Sequence, residues 1–131
     1  MRRLLLLSIL VPACAQDEAV LRYTVNEPEP AVPVREIEVF ELRGEFRGGS
    51  ALVSGEQPIE FPMIGSFGYF DDDARSPEPI QVCAIGQGDE GTVFAVSDPV
   101  RLVVDETVLV EMTLALIGDG EVVPPPCGPE S

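Results

Sequence analysis

Residues 80–117, IQVCAIGQGDEGTVFAVSDPVRLVVDETVLVEMTLALI, decide the fold. Ile80–Ile85 and Thr92–Val96 are rich in β-branched and aromatic residues and flank the glycine-rich segment Gly86–Gly91, a pattern that predicts a β-hairpin. Thr107–Ile117 predicts the longest strand, because apolar side chains recur there at every second residue: Val108, Val110, Met112, Leu114 and Leu116. This half of the chain therefore indicates antiparallel β-structure.

The same pattern extends outward from this stretch, since short β-rich runs are separated by Gly, Pro, Asp and Ser. Further strands are predicted at Ala19–Val25, Val34–Leu42, Ser50–Val53, Ile59–Met63, Ser66–Phe70 and Val100–Val104. Arg43–Gly49 is predicted as a connection and Asp71–Pro79 as an exposed acidic loop.

Seven to nine short strands without intervening helices predict an all-β fold, a single antiparallel β-sandwich, with a barrel as the alternative. Parallel βαβ folds are excluded for lack of crossover helices.

The N-terminus has the layout of a secretory signal. Arg2 and Arg3 form a positive start, Leu4–Val11 is apolar, and small residues follow. The apolar run is much shorter than the ~20 residues that a membrane-spanning helix needs. We therefore expect export without a permanent transmembrane helix.

Two cleavage sites compete at the end of this signal. Ala13-Cys14-Ala15 fits ordinary signal peptidase, which would release a soluble chain that begins at Gln16. Leu10–Cys14 resembles the lipobox of bacterial lipoproteins, and this resemblance implies that Cys14 is diacylated and becomes the first residue. The favoured organisation is a lipoprotein signal at 1–13, a tether at 14–18, the sandwich at 19–117 and a Pro/Gly-rich tail at 118–131.

The charge of the chain excludes several classes of partner. All 23 acidic residues and six of the eight basic residues follow the signal, which leaves a formal net charge of −17. Nucleic acid and anionic lipid both require a positive protein surface, so neither is an expected electrostatic partner. The acidic surface indicates solubility, and the alternatives are adaptation to salty surroundings or attraction of cations or basic partners.

Cysteine usage follows from the signal. Once Cys14 is lipidated or removed, Cys83 and Cys127 remain as an even pair in an oxidising compartment. We therefore predict a disulfide between them. The alternative is that Cys83 is a small core residue and Cys127 is free in the tail.

Two regions carry a resemblance to a known group of proteins. Phe61–Asp73 with Pro79–Ile85, and Val103–Leu114 with the late Cys127, resemble small lipoproteins of myxobacteria and related delta-proteobacteria. The closing strand pair also resembles the end of Ig-like and prealbumin-like domains. These resemblances imply export and a β-sandwich, and they bring no catalytic residue and no activity.

The residues offer little catalytic chemistry. The chain contains no His, which removes Ser-His-Asp and Cys-His catalysis and imidazole metal sites. Gly86–Gly91 spells G-x-G-x-x-G but is flanked by strands, so it is interpreted as a turn and not as a phosphate loop. Asp71, Asp72 and Asp73 are candidate calcium ligands, with a solvated loop as the alternative. We expect neither enzymatic activity nor a cofactor.

Two functional hypotheses remain. The first is a non-enzymatic exported lipoprotein, an interaction or structural module of the bacterial cell envelope, at the periplasmic face or the cell surface, whose partner is a protein or glycan. The second is a small-ligand or carbohydrate-binding module, which could be secreted and soluble. An exposed row of aromatic side chains on one sheet face would favour the second hypothesis. The cluster Phe61, Phe67, Tyr69 and Phe70 is predicted to belong to the core, with the lining of a binding groove as the alternative.

Overall fold

The computed structural model describes residues 17–117 and 121–128, so Cys14 and the predicted signal lie outside the described residues. The described residues form eight strands and one short helix: β1 Glu18–Asn26, β2 Val34–Arg43, β3 Phe46–Ser54, β4 Met63–Phe70, α1 Asp71–Arg75, β5 Gln81–Gly88, β6 Gly91–Val96, β7 Thr107–Thr113 and β8 Ala115–Ile117. Within these ranges no helix has the length and apolar character needed to cross a membrane.

The strands form two sheets, which confirms the predicted all-β sandwich. One sheet has three strands in the order β4-β1-β7, and the other has five in the order β3-β2-β5-β6-β8. Neighbouring strands pair antiparallel except β1 and β7, which pair in parallel. This parallel pair needs no local crossover helix, because most of the domain lies between its two strands in the sequence.

The inner faces of both sheets form the main core. On β1 every second side chain is buried, at Ala19, Leu21, Tyr23 and Val25, with 0–5% of each exposed. Residues of β2, β5, β6 and β7 complete the same cluster. Burying one large aliphatic side chain contributes about 1.5–3 kcal/mol, so each buried position of this alternation stabilises the fold.

A second hydrophobic cluster lies on the outer face of the five-stranded sheet. Phe40 of β2 and Cys83 of β5 are directly opposite each other, and both are fully buried. The C-terminal tail covers them with Val123 and Cys127. The predicted disulfide is confirmed: Cys83 and Cys127 are bonded, with their Cα atoms 5.7 Å apart.

The predicted strand Thr107–Ile117 is two strands that belong to different sheets. β7 pairs with β1, whereas β8 pairs with β6, and the chain crosses between the sheets at the buried Leu114. The amide of Leu114 donates to the carbonyl of Asn26 at 3.2 Å, outside both ladders. Leu116 lies opposite the buried Val93 but is 37% exposed, because β8 is an edge strand.

The predicted strand Val100–Val104 is wrong. Only Val100 is paired, through an isolated bridge to Ile80. The segment crosses from the five-stranded sheet to the start of β7, so no strand lies beside it to complete a ladder. The alternation of apolar and exposed residues in this segment arises from packing and not from strand pairing. Leu102 and Val104 pack against the core, while Arg101 and Val103 are exposed.

Three predicted boundaries also change. The connection predicted at Arg43–Gly49 is shorter, because only Gly44 and Glu45 lie between β2 and β3. The strand predicted at Ile59–Met63 begins only at Met63, although Ile59 still packs against the core. The acidic segment Asp71–Pro79 begins with the five-residue helix α1, whose Ala74 is buried.

We expect the disulfide to be a major source of stability. It closes a loop of 44 residues, so the Cys83→Ser/Cys127→Ser protein should lose about 4 kcal/mol of unfolding free energy in the chain-entropy model. Urea unfolding of both proteins measures this difference. Both cysteines are buried in the folded protein, so alkylation of two thiols in denaturant without a reductant would contradict the bond.

Candidate functional site

The clearest candidate site is a cavity of about 540 Å³ at one end of the sandwich. It lies where the β2–β3 hairpin, the end of β4 and α1 meet. Three carboxylates, one guanidinium, aromatic rings and glycines line it: Glu41, Asp73, Glu78, Arg43, Phe46, Phe67, Tyr69, Gly48, Gly49 and Gly68.

A buried polar contact joins the two sheets at the base of this cavity. Glu41 of β2 is only 7% exposed, and the hydroxyl of Tyr69 on β4 donates a hydrogen bond to its Oε2. Burial raises the pKa of Tyr69 strongly, and the hydrogen bond to Glu41 raises it further. Tyr69 is therefore a neutral donor at physiological pH, and it satisfies a carboxylate that would otherwise be costly to bury.

Among the described residues that line the cavity, Arg43 is the only basic one. Its side chain is 12% exposed, and its guanidinium lies 5.6 Å from the centre of the Tyr69 ring and 3.6 Å from Asp73 Oδ1. The Nε atom is buried and has no hydrogen-bond partner within residues 17–117 and 121–128. The guanidinium thus balances part of the negative charge of the carboxylates around it.

A bulge in β3 shapes the wall of the cavity. In the pairing of β2 with β3, Val39 lies opposite Ala51 but Glu41 lies opposite Gly48, so β3 contains one extra residue. Gly49 adopts a φ of +62° there, and a Cβ atom at this position would lie 3.0 Å from the Phe67 ring. The positive φ favours glycine, and a side chain at this position would also need the Phe67 ring to shift slightly.

The predicted calcium ligands are not brought together as a metal site. Asp72 pairs with Arg75 on the same helix, and Asp73 pairs with Arg43, so their carboxylates serve different partners. Among residues 17–117 and 121–128, no group of three His, Cys, Asp or Glu side chains could hold a metal ion. The calcium hypothesis for Asp71, Asp72 and Asp73 therefore gains no support.

The glycines of the G-x-G-x-x-G sequence serve strand packing. Gly86 and Gly88 lie within β5, and only Asp89 and Glu90 separate it from β6, which confirms the hairpin. A Cβ atom at Gly88 would lie 1.9 Å from the carbonyl oxygen of Pro33. The backbones approach so closely that no side chain fits at this position, and no helix follows that could hold a phosphate.

The aromatic cluster is core for the most part. Tyr69 is buried, and Phe61 and Phe67 pack against the main core, with the Phe67 ring 5.4 Å from the ring of Tyr23. Phe70 is 51% exposed, so its assignment to the core is wrong. It follows Tyr69 in β4 and therefore points to the opposite face of the sheet.

Glu41 and Arg43 were not predicted as site residues, although the sequence contains a signal for them. Ile37 and Val39 define the inward face of β2, and positions 41 and 43 continue that face at a spacing of two. Charged residues at inward positions need partners from another element. The partner Tyr69 could not be identified from the sequence, because it belongs to the other sheet.

Comparison of the chain with family models, curated proteins and solved structures found no match.

Removing the Tyr69 hydroxyl should be costly. Tyr69→Phe leaves the buried Glu41 without this donor, so we expect a loss of about 1–3 kcal/mol of unfolding free energy. Tyr23→Phe is the matched control, since Tyr23 is equally buried and has no carboxylate partner among its described contacts. Urea unfolding at neutral pH measures both, and an equal loss in the two proteins would contradict the role of the hydrogen bond.

The same tyrosine predicts a pH dependence. The folded-state pKa of Tyr69 is raised, so only the unfolded chain releases this proton just above pH ~10, and stability falls as the pH rises further. Tyr69→Phe should make this fall shallower, with a remainder from Tyr23, whose pKa is also raised by burial. Thermal unfolding between neutral and alkaline pH measures the slope.

The role of Gly88 is testable in the same way. Gly88→Ala forces β5 away from the Pro33 carbonyl and should cost about 1–3 kcal/mol. Gly55→Ala is the control, because a Cβ atom there meets nothing within 4 Å. Equal urea midpoints for the two variants would contradict the packing explanation.

Proposed function

We propose that the protein is a non-enzymatic exported lipoprotein, anchored to a bacterial membrane through Cys14, that acts as an interaction or structural module of the cell envelope. The observation that carries the proposal is the bond between Cys83 and Cys127. Stable disulfides are typical of exported proteins and rare in the cytosol. The bond also uses the two cysteines that lie outside the signal, which leaves Cys14 for lipid.

The position of the first strand supports the same proposal. β1 begins at Glu18, and the described chain begins at Asp17, three residues after Cys14. Cleavage before Cys14 would therefore remove none of the residues that form the sandwich. The resemblance of Phe61–Asp73 and Val103–Leu114 to small myxobacterial lipoproteins is consistent with this organisation.

The arrangement of aromatic residues favours an interaction or structural module over a carbohydrate-binding module. All six Phe and both Tyr lie within the described residues, and only Phe46 and Phe70 are exposed. They belong to different sheets, so neither sheet face presents a row of aromatic rings on which sugars could stack. We propose that the partner is a protein or glycan of the cell envelope. The alternative to the lipid anchor is a secreted, soluble form.

Metabolic labelling tests the anchor. In cells that express the full chain and receive radioactive palmitate, we expect label on the wild-type protein and none on the Cys14→Ser variant. Wild-type protein that is made and exported without label would contradict the lipoprotein proposal and would favour release of a soluble chain.

A further inference from the structure

One end of the sandwich collects every strongly exposed aromatic side chain. Phe70 ends β4, lies opposite Glu18 in the ladder and directly precedes α1. Phe46 begins β3 and lines the same cavity as Asp73 of α1. Their exposed fractions are 51% and 69%, so two phenyl rings that belong to neither core project into solvent at this end.

The start of the described chain lies at the same end. Asp17 pairs with Arg75 of α1 through their side chains, and the carbonyl of Asp17 accepts a 2.8 Å hydrogen bond from the amide of Asp71. On the other side, the amide of Asp105 donates to the carbonyl of Glu18 at 2.6 Å. The helix and this loop therefore hold the first residues of the domain in a fixed position between them.

The distance from Cys14 to this end is short. Three residue steps separate Cys14 from Asp17, and three fully extended steps span at most about 11 Å. Phe70 lies across the ladder from Glu18, one residue further, and so within about 20 Å of Cys14. If Cys14 bears lipid, Asp17 stays within about 11 Å of the lipid-bearing residue. The end of the domain that contains Asp17 and α1 is then the end held next to the bilayer.

We propose that this end of the domain is a membrane-contact surface, with Phe46 and Phe70 inserted at the lipid interface beside the anchor. The inference rests on lipidation of Cys14 and adds to it a defined orientation of the domain. Exposed phenyl rings lose unfavourable contact with water when they enter the interface. The cavity beneath α1 then faces the membrane, and the opposite end, with the Asn26–Ala31 loop and Phe61, faces away from it.

The acidic residues at this end determine which lipid it contacts. Asp71, Asp72 and Asp73 begin α1, and Asp105 and Glu106 lie on the adjoining loop. Their charge repels anionic headgroups. The attraction to lipid therefore comes from the two phenyl rings alone, and insertion should be deepest in zwitterionic lipid and weaker when anionic lipid is added at low ionic strength.

Tryptophan fluorescence tests this orientation, because the chain contains no Trp. Phe70→Trp and Phe46→Trp each introduce one reporter at an exposed position. Ile64→Trp is the matched control: Ile64 is 62% exposed on the same strand and face as Phe70 but lies six residues, about 20 Å, further along. The lipidated full-length proteins are reconstituted into zwitterionic vesicles that contain brominated phosphatidylcholine.

We expect brominated lipid to quench Phe70→Trp and Phe46→Trp at least twofold more than Ile64→Trp. Added anionic lipid at low salt should reduce that difference. Equal quenching at positions 64 and 70, in protein whose intact mass shows the lipid, would overturn the orientation and leave the anchor proposal standing. Absence of the lipid from the intact mass would overturn both.

Discussion

The outer face of the five-stranded sheet imposes the constraint on which the rest of the structure depends. Phe40 and Cys83 point away from the main core, and the part of the chain that the structure describes forms no third layer of strands to cover them. The C-terminal tail covers them instead, and the bond from Cys83 to Cys127 holds it there. A tail rich in proline cannot pair as a strand, so a covalent bond replaces the ladder that would otherwise hold it.

The alternation of apolar and polar residues predicts where most strands lie, but it does not predict which strands pair with each other. The alternation in β1 and in the β5–β6 hairpin follows from burial of one face, which is a property of neighbouring residues. The break at Leu114 and the unpaired Val100–Val104 segment depend on which sheet the chain must reach next. Crossing between sheets leaves the alternation intact, so the sequence shows the same pattern whether or not a ladder forms.

The candidate site follows the same rule. Glu41 and Arg43 stand on the inward face of β2, a fact that their spacing from Ile37 and Val39 already indicates. The Tyr69 hydroxyl that satisfies Glu41 comes from the other sheet, and the Asp73 that faces Arg43 comes from a helix that was predicted as a loop. Contacts between sheets are not encoded in the period of either strand, so this part of the site required the structure.

The end of the sandwich that contains α1 connects these features to the proposed anchor. The buried Glu41–Tyr69 contact joins the two sheets there, α1 holds Asp17 there, and the two exposed phenylalanines project from it. In the proposed organisation Cys14 bears lipid while Cys83 and Cys127 are bonded to each other. The direct test is the intact mass of the protein purified from whole cells and medium, after alkylation in denaturant without a reductant, because both cysteines are buried in the folded protein. We expect a chain that begins at Cys14 with a diacylglyceryl mass and no alkylated thiol, whereas an unmodified chain that begins at Gln16 would contradict the lipid anchor.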